Sequence, residues 1–232
     1  MPLPISQLNR LGERLAAGTA TRDDLRALVE FQKEFLPALE ETRSLVETAR
    51  RAVLGSTYAP PTGRIKQLRS IEDKLRRETT RLTQLQDVVG LRILVPDLAA
   101  QDALVGRLLT TAGADGWLPP VDRRNGGPAG YRAVHLIRRS GRYRVEVQVR
   151  TTLEHIWAEM VEAADRYYPG LKYGSGDPEA QAGFHDLSRQ IAEAELKEAE
   201  GDVEARTRLI AEFGIAAFAI LVILHLTKRT KA

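Results

Sequence analysis

The sequence predicts an α+β domain in which a β-sheet is flanked by helices. The apolar run from Val88 to Pro96, "VVGLRILVP", has the length and composition of a buried strand. Farther along the chain, "YRAVHLIRR" and "RYRVEVQVR" flank the turn residues Ser140–Gly141 and predict an antiparallel hairpin. Helical periodicity fills residues 1–55 before these strands and residues 178–213 after them. Strands grouped between helical segments are typical of this fold class.

The N-terminal segment, residues 1–55, is predicted to be helical with one interruption. "TRDDLRALVEFQKEFL" starts with Thr21 ahead of two aspartates, which is a helix start signal, and Pro37 is expected to kink or divide the helix. A loop rich in Gly and Pro leads into a core at 56–176 that holds the predicted strands. In 177–212 the apolar residues are sparse within a charged helical pattern, which predicts an arm packed on the core or on a second subunit. A homo-oligomer is therefore expected.

The composition narrows the class of protein. A chain of 232 residues with 43% hydrophobic content can build a well-packed core, so it is not a disordered protein. The chain has 34 Lys and Arg against 31 Asp and Glu, and this mild excess permits a phosphate-bearing ligand without predicting one. Without cysteine the chain has no disulfides and no thiolate metal sites, which suits a reducing compartment. The start of the chain has no long apolar stretch of the kind found in secretory signals, so a cytoplasmic location is expected.

The C-terminal segment, 213–232, combines an apolar run with a basic tip. The run from Phe213 to Leu224 is shorter than the about 20 apolar residues that cross a bilayer. Two interpretations stay open. The segment is either a helix buried in the fold or between subunits, or a membrane contact through 213–226, as a shallow anchor or a short tail anchor. In the second case Lys228, Arg229 and Lys231 of the basic tip would lie at the lipid headgroups.

A basic segment, "TGRIKQLRSIEDKLRR", is the first candidate for chemistry. A glycine-containing loop leads into a helix that carries several cations, and such an arrangement can surround a triphosphate. The cations are Arg64, Lys66, Arg69, Lys74, Arg76 and Arg77. Acidic residues lie among them, so the segment taken alone is better explained as a solvated helix with paired charges.

Asp87 is the second candidate, because it stands just before the apolar strand. A carboxylate at the mouth of a strand is well placed to hold Mg²⁺, which prefers one or two carboxylates together with phosphate oxygens. The alternative is an aspartate that caps a turn, which is a common role for this residue.

The hairpin supplies the third group of candidates. "GYRAVH" places Tyr131 and His135 on one predicted strand face, where a tyrosine can stack a base and a histidine can meet a phosphate. On the next strand, valines at 145, 147 and 149 alternate with Glu146, Gln148 and Arg150. Glu146 can complete a metal site with Asp87 or accept a proton from a hydroxyl nucleophile. The alternative for each is ordinary decoration of a solvated strand face. Together the three groups indicate phosphoryl or nucleotidyl transfer.

In order along the chain, these motifs resemble the synthetase domain of the RelA/SpoT family, especially its small single-domain members. The resemblance covers Tyr58 to Tyr173, with "TGRIKQLRSIEDKLRR" as the donor segment, "DVVGLRI" as the metal strand, "GYRAVH" as the acceptor segment and "VEVQVRTTLEHIWAE" as the catalytic strand with its helix. It implies a mixed sheet flanked by helices, related to nucleotidyltransferases. It also implies Mg²⁺-dependent transfer of the β,γ-pyrophosphate of ATP to the ribose 3′-hydroxyl of GDP or GTP.

The resemblance also assigns roles by position. Asp87 and Glu146 would bind the metal and act in catalysis, with Gln148 beside them and Arg150 orienting or structural. The residues that would bind ATP are Arg64, Lys66, Arg69, Lys74 and Arg77. The residues that would bind the acceptor are Tyr131, which stacks on the base, His135 and Arg124.

The loop before the acceptor segment departs from the family pattern. Where the family has a lysine four residues ahead of the stacking tyrosine, this chain has Gly127, and Asp122, Arg123 and Arg124 supply the charge in "LPPVDRRNGGPAGY". The acceptor therefore stays open among guanosine nucleotides, adenosine nucleotides and the 3′ end of tRNA, the last two being substrates of toxic relatives.

The alternative from another class is a catalytically silent, membrane-associated nucleotide-binding protein, and the presence of both acids argues against it. The histidine and aspartate motif of the family's hydrolase domain has no counterpart in the sequence. Synthesis without hydrolysis is therefore expected.

Overall fold

The structure, a computed structural model, describes residues 3–111 and 116–212. The tail at 213–232, with its two interpretations, lies outside the described residues. Among the residues that are described, no helix has both the length and the apolar character needed to cross a membrane. The homo-oligomer stays a prediction.

Helices occupy both ends of the chain and also connect the strands. Their bounds are Ile5–Ala17 (α1), Arg22–Lys33 (α2), Leu36–Leu54 (α3), Leu68–Arg77 (α4), Leu98–Thr111 (α5), Thr152–Ala164 (α6) and Pro178–Ala199 (α7). A further helical segment covers 205–212. The strand bounds are Thr62–Ile65 (β1), Val89–Val95 (β2), Val121–Asp122 (β3), Val134–Ser140 (β4) and Tyr143–Thr151 (β5).

The strands form one mixed five-stranded sheet in the order β1-β2-β5-β4-β3. β1 pairs with β2, and β4 pairs with both β3 and β5, all antiparallel. The predicted hairpin is β4 and β5, which meet where Ser140 pairs with Tyr143. The predicted α+β class, with a mixed sheet and helical extensions, is confirmed.

The start of β4 differs from the prediction. The sequence predicts a strand from Tyr131, whereas β4 begins at Val134. A single 3₁₀ turn at Pro128–Gly130, in which Ala129 has a φ of 53°, precedes Tyr131 and diverts the backbone from an extended path. Tyr131 therefore lies in a turn rather than on the strand face that carries His135.

The chain divides into two compact units. The first contains Met1–Val95, Ala100–Arg123 and Ala133–Arg150. The second contains Pro96–Ala99, Arg124–Arg132 and Thr151–Ala232. The four segments predicted from the sequence stay a prediction.

In the first unit, the N-terminal helices and the sheet share one hydrophobic core. Leu28 of α2 and Val46 of α3 are fully buried in the same cluster as Val145 and Val147 of β5. Burial of each such side chain contributes roughly 1.5–3 kcal/mol relative to exposure, so these contacts are a main source of the unit's stability. This packing also holds β5 in place, and with it the polar residues that alternate with the buried valines.

The N-terminal helices begin at the signals seen in the sequence. The Thr21 side chain accepts a hydrogen bond from the Asp24 backbone, and the Asp24 carboxylate accepts one from Thr21 in return. Pro37 lies in the first turn of α3, where proline is tolerated because the backbone N–H of that position has no helical partner. Pro37 thus divides α2 from α3.

In the second unit, α6 packs against α7 around a smaller core. Trp157 and Val161 of α6 are buried together with Phe184 and Ile191 of α7. The indole Nε1–H of Trp157 donates a hydrogen bond of 2.9 Å to the Phe184 carbonyl, so the buried ring is also satisfied at its polar edge. α6 begins at a capping box, in which Thr151 and Glu154 exchange hydrogen bonds.

Candidate active site

The polar face of β5 is buried. The exposed fractions of Glu146, Gln148 and Arg150 are 8%, 6% and 5%. An acid, an amide and a guanidinium are rarely removed from water together unless they satisfy one another, because a buried polar group without partners is destabilising. The interpretation of this face as solvated decoration is therefore wrong.

These three side chains are joined by hydrogen bonds along the strand. Arg150 Nη2 donates to Gln148 Oε1 at 2.9 Å, and Gln148 Nε2 donates to Glu146 Oε2 at 2.6 Å. The other Glu146 oxygen, Oε1, lies 2.7 Å from Nδ1 of His135 on the neighbouring strand β4. Both oxygens of Glu146 thus have a partner and the carboxylate orientation is set by two strands.

Asp87 lies two residues before β2 and is held by two lysines. Lys66 Nζ donates to Asp87 Oδ2 at 2.6 Å, and Lys74 Nζ donates to the same oxygen at 3.1 Å. Lys66 is placed by its backbone N–H, which donates to the Val88 carbonyl at 2.9 Å, and Lys74 projects from α4. Burial raises the pKa of Asp87, but the two ammonium groups outweigh burial and hold that pKa below its usual range.

The two acids are close enough to influence each other. Burial raises the pKa of Glu146 and the charge of Asp87 raises it further, while the hydrogen bonds from His135 and Gln148 lower it. The net direction is a lowered pKa, so Glu146 is ionised near neutral pH. A pair of ionised carboxylates in a buried region is held together only by compensating cations or donors.

Gly90 allows β2 to approach β5 at this point. A Cβ atom on Gly90 would lie 2.9 Å from the Glu146 carbonyl oxygen, closer than real Cβ contacts. Because Gly90 has no side chain, β2 and β5 can lie close together beside Asp87 and Glu146.

The residues present fit Mg²⁺. Asp87 Oδ1 is buried and, within the part of the chain that the structure describes, accepts no hydrogen bond. A buried carboxylate oxygen without a donor is a suitable ligand for a hard cation. The described residues contain no group of three or more His, Asp or Glu side chains suited to a metal, and Mg²⁺ in nucleotide sites characteristically uses fewer protein ligands than that. The metal stays a prediction.

The cations assigned to ATP separate into two sets. Lys66 and Lys74 are mostly buried and contact Asp87, whereas Arg64, Arg69 and Arg77 are exposed on β1 and α4. On α4, Arg77 is three residues from Lys74 and shares its side of the helix, while Arg69 is five residues, about 1.4 turns, away. The structure thus brings the two lysines to the acid, and the arginine roles stay predictions.

The acceptor residues also separate. His135 belongs to the first unit, where it contacts Glu146. Tyr131 and Arg124 belong to the second unit and are half-buried. The Tyr131 ring lies 6.4 Å from the Trp157 ring at an interplanar angle of 57°, so one side of the aromatic is supported by α6.

The residues that hold the Tyr131 turn were not predicted from the sequence. Ser188 of α7 donates through Oγ to the Gly130 carbonyl and accepts a 2.9 Å hydrogen bond from Arg132 Nε. Ser188 is separated from Arg132 by 56 positions in the chain. No local pattern marks a single serine in a charged helix, so this contact had no signal in the sequence.

Comparison with known proteins agrees with the predicted resemblance. Residues 63–172 match a family model described as a region found in RelA / SpoT proteins. Uncharacterized proteins of Mycobacterium tuberculosis and Mycobacterium bovis are 34% identical over 146 residues, covering 61% of this chain and 53% of theirs. The chain therefore spans about half the length of the curated relatives it matches.

Solved structures share the fold. The small alarmone synthetase 1 of Bacillus subtilis is 22% identical with a TM-score of 0.57, covering 75% of this chain and 98% of that one. The same protein bound to its product pppGpp gives a TM-score of 0.59 at 22% identity, covering 74% and 95%. A GTP pyrophosphokinase family protein of Streptococcus pneumoniae is 21% identical with a TM-score of 0.56, covering 82% and 98%. At these identities the likeness establishes the fold alone.

Proposed function

We propose that this chain, whose residues 63–172 match a region found in RelA / SpoT proteins, is an ATP-dependent nucleotide 3′-pyrophosphokinase. The proposed reaction transfers the β,γ-pyrophosphate of ATP to the ribose 3′-hydroxyl of GDP or GTP and yields (p)ppGpp and AMP. The fold shared with small alarmone synthetases and a GTP pyrophosphokinase family protein supports this reaction class.

The observation that carries the proposal is the paired acid site. Glu146 and Asp87 are both ionised in a buried region: two ammonium groups, those of Lys66 and Lys74, contact Asp87, and Nδ1 of His135 lies 2.7 Å from Glu146. A structural ion pair needs only one acid and one base. Two neighbouring carboxylates, one of which has an oxygen (Asp87 Oδ1) that accepts no hydrogen bond from the described residues, are better explained by a ligand that carries several positive and negative charges, such as a magnesium nucleotide.

The reaction assigns a task to each group. The 3′-hydroxyl oxygen attacks the β-phosphorus of ATP as the bond from that phosphorus to the α–β bridging oxygen breaks, and AMP departs. Glu146 would accept the hydroxyl proton, which is supported by its ionised state and by the contacts with His135 and Gln148 that orient it. Mg²⁺, when bound by Asp87 and Glu146, would neutralise charge on the transferred phosphates. Lys66 and Lys74 would supply further positive charge there, together with the exposed Arg64, Arg69 and Arg77.

Acceptor recognition is assigned to Tyr131, His135 and Arg124. The half-buried Tyr131 ring, packed on one side by Trp157, is suited to stack a purine. Gly127 places no side chain beside this ring, and its backbone N–H donates to the Tyr131 carbonyl at 2.7 Å. An acceptor screen therefore has to distinguish guanosine nucleotides from adenosine nucleotides and tRNA.

An acceptor screen tests the proposal. ATP labelled at the γ-phosphate is incubated with the full chain, Mg²⁺ and one acceptor at a time: GDP, GTP, AMP or tRNA. We expect label on GDP or GTP in a product that carries two added phosphates. Label found on tRNA or AMP alone would contradict the guanosine assignment while keeping pyrophosphate transfer.

Glu146→Gln distinguishes an enzyme from a silent nucleotide-binding protein. The amide keeps the shape of the side chain but replaces one acceptor oxygen with an NH2 donor and removes the charge and the proton acceptor, so turnover should fall by about 10²–10⁴-fold. Nucleotide binding, followed by calorimetry, should be largely retained. Glu34→Gln is the matched control, because Glu34 is also partly buried and accepts a hydrogen bond from a neighbour, Tyr143, yet lies outside the site, directly after α2. Equal turnover in wild type and Glu146→Gln would sink the catalytic assignment.

A further inference from the structure

The Tyr131 turn is tightly constrained by its own backbone. The Gly127 N–H donates to the Tyr131 carbonyl at 2.7 Å, the Gly130 N–H donates to the Gly127 carbonyl at 2.9 Å, and the Tyr131 N–H donates to the Pro128 carbonyl at 3.0 Å. Ala129 and Gly130 both have positive φ, at 53° and 90°. For alanine this conformation is unfavourable, so other contacts must hold the turn in place.

Ser188 of α7 supplies those contacts on both sides of Tyr131. Its hydroxyl donates a hydrogen bond to the carbonyl of Gly130, the residue before Tyr131. The same hydroxyl accepts a hydrogen bond of 2.9 Å from Nε of Arg132, the residue after Tyr131. Ser188 is 2% exposed, so neither hydrogen bond competes with bulk water. A Cβ atom on Gly130 would lie 2.7 Å from the Ser188 Cβ, which shows how closely α7 approaches the turn.

The same helix also supports the tyrosine ring. The Phe184 carbonyl of α7 accepts the indole N–H of Trp157, and the Trp157 ring packs beside the Tyr131 ring. α7 therefore holds the turn through Ser188 and the ring through Phe184 and Trp157. Phe184 and Ser188 are four residues apart, one helical turn, and lie on the same buried side.

We infer that Ser188 is a positioning residue for acceptor binding: it fixes the backbone around Tyr131 so that the ring is presented to the acceptor base in one orientation. This inference rests on the proposed function, in which Tyr131 stacks on that base. α7 lies beyond the RelA/SpoT region at 63–172, so the region's acceptor turn depends on a helix outside it.

Ser188→Ala tests the inference by comparing the change in KM for the acceptor with the change in KM for ATP. The variant removes both hydrogen bonds with little change in volume, so the KM for GDP or GTP should rise about tenfold, the size expected for one or two such bonds. The KM for ATP should stay within about twofold of wild type, because a positioning role at Tyr131 does not extend to the donor. Thr42→Val is the matched control, since it removes another buried hydroxyl-to-carbonyl bond, Thr42 Oγ1 to the Ala38 carbonyl at 2.7 Å.

A double-mutant cycle separates positioning from general loosening. If Ser188 acts through Tyr131, then Ser188→Ala should have no further effect on acceptor affinity in a Tyr131→Ala background. An unchanged acceptor KM in Ser188→Ala, an equal rise in both KM values, or a full effect that persists without Tyr131 would each overturn the inference. Should Ser188→Ala fold poorly, Ser188→Cys keeps the volume with a much weaker donor and should shift the acceptor KM in the same direction.

Calorimetric titration with GDP and GTP keeps this test distinct from the test of the proposed function. Wild-type protein that binds these nucleotides but transfers no pyrophosphate would contradict the proposed reaction, and the Ser188→Ala comparison of affinities would still decide the positioning role. Wild-type protein that neither binds nor modifies either nucleotide would overturn both.

Discussion

At the scale of single residues, Asp87 and Glu146 both stay ionised in a buried region because each has its own hydrogen-bonding partners. Asp87 relies on two ammonium groups, and Glu146 relies on His135 and on the amide of Gln148. Each acid is compensated separately, yet the charge of Asp87 still raises the pKa of Glu146. The two carboxylates therefore repel each other, and a cation bound between them would reduce that repulsion.

Asp87→Asn should lower turnover by about 100-fold or more, because it removes the negative charge that a cation and the lysines share. It should also raise the Mg²⁺ concentration that gives half-maximal activity, measured by titrating Mg²⁺ at saturating nucleotide. Asp73→Asn is the control on the neighbouring helix α4, where the acid is half-exposed and 3.9 Å from Arg76. An Asp87→Asn enzyme with the Mg²⁺ dependence of wild type would exclude Asp87 as a ligand.

Gly130→Ala should destabilise the protein more than Gly126→Ala. Both glycines have strongly positive φ, 90° and 98°, and alanine in that conformation costs about 1–2 kcal/mol. Only at 130 does the new Cβ also meet Ser188, and overpacking of this kind adds about 1–3 kcal/mol, whereas nothing lies within 4 Å at 126. Urea midpoints of the two variants give the difference. Equal midpoints would mean that α7 yields easily at this contact.

At the scale of elements, β5 and α7 each carry polar residues on a buried side. In β5 these residues form a hydrogen-bonded row that ends at Glu146. In α7 they are Ser188 and Glu195, whose exposed fractions are 2% and 5%. Burial lowers the pKa of the Arg132 guanidinium, and the negative charges of Glu154 and Glu195 act in the opposite direction. α7 is thus more than a surface arm, because its polar groups compensate those of the acceptor turn.

Glu195 makes the stability of the protein depend on pH. Burial raises the pKa of Glu195 to about 7, the hydroxyl of Thr151 and the charge of Arg206 oppose this, and the charges of Glu154 and Glu198 add to it. The folded protein keeps the proton up to about pH 7, while the unfolded chain releases it near the ordinary value of 4.5. The stability from the neutral form is therefore complete below pH 4.5 and is lost as the pH rises through about 7.

Glu195→Gln should remove that loss. The variant should gain up to about 3 kcal/mol over wild type above pH 7, and the difference should shrink toward acid pH. Urea unfolding across this pH range measures it. If wild type and Glu195→Gln show parallel pH profiles, Glu195 does not titrate as its burial implies.

At the scale of the whole molecule, the chain has two hydrophobic cores, and the RelA/SpoT region at 63–172 contains only part of each. In the first unit the N-terminal helices cover the sheet. In the second unit, α6 lies inside the region and its partner α7 lies outside. The region is therefore not expected to fold as an isolated piece.

Truncation after Gly176 should expose the second core. It removes Phe184 and Ile191, each of which contributes roughly 1.5–3 kcal/mol by burial, and it removes the carbonyl that accepts the Trp157 indole. In a Trp117→Phe background Trp157 is the remaining tryptophan, so its emission should shift to the red. A chain ending at Glu212 keeps every described contact of Trp157 and is the control. Identical emission from the two truncations would show that α6 does not depend on α7.

Sequence alone accounted for much of the architecture. The hairpin, the buried strand before Pro96, the helix start at Thr21 and the division at Pro37 all follow from patterns that span a few residues. Period, cap and turn signals act over such short distances, and so they can be read without knowing what packs against them. The order of the motifs was also enough to indicate a resemblance to the RelA/SpoT family, and residues 63–172 match a model described as a region found in RelA / SpoT proteins.

Tertiary packing determines which charges are buried and which partners they have. The alternation on β5 is the same whether its polar face meets water or protein, and the lysines of the basic segment could equally have been solvated. Packing sets the distances between side chains from different elements and removes water from them. Because hydrogen bonds and charge interactions depend on those two quantities, the contacts of Glu146, Asp87 and Ser188 had no counterpart in local pattern.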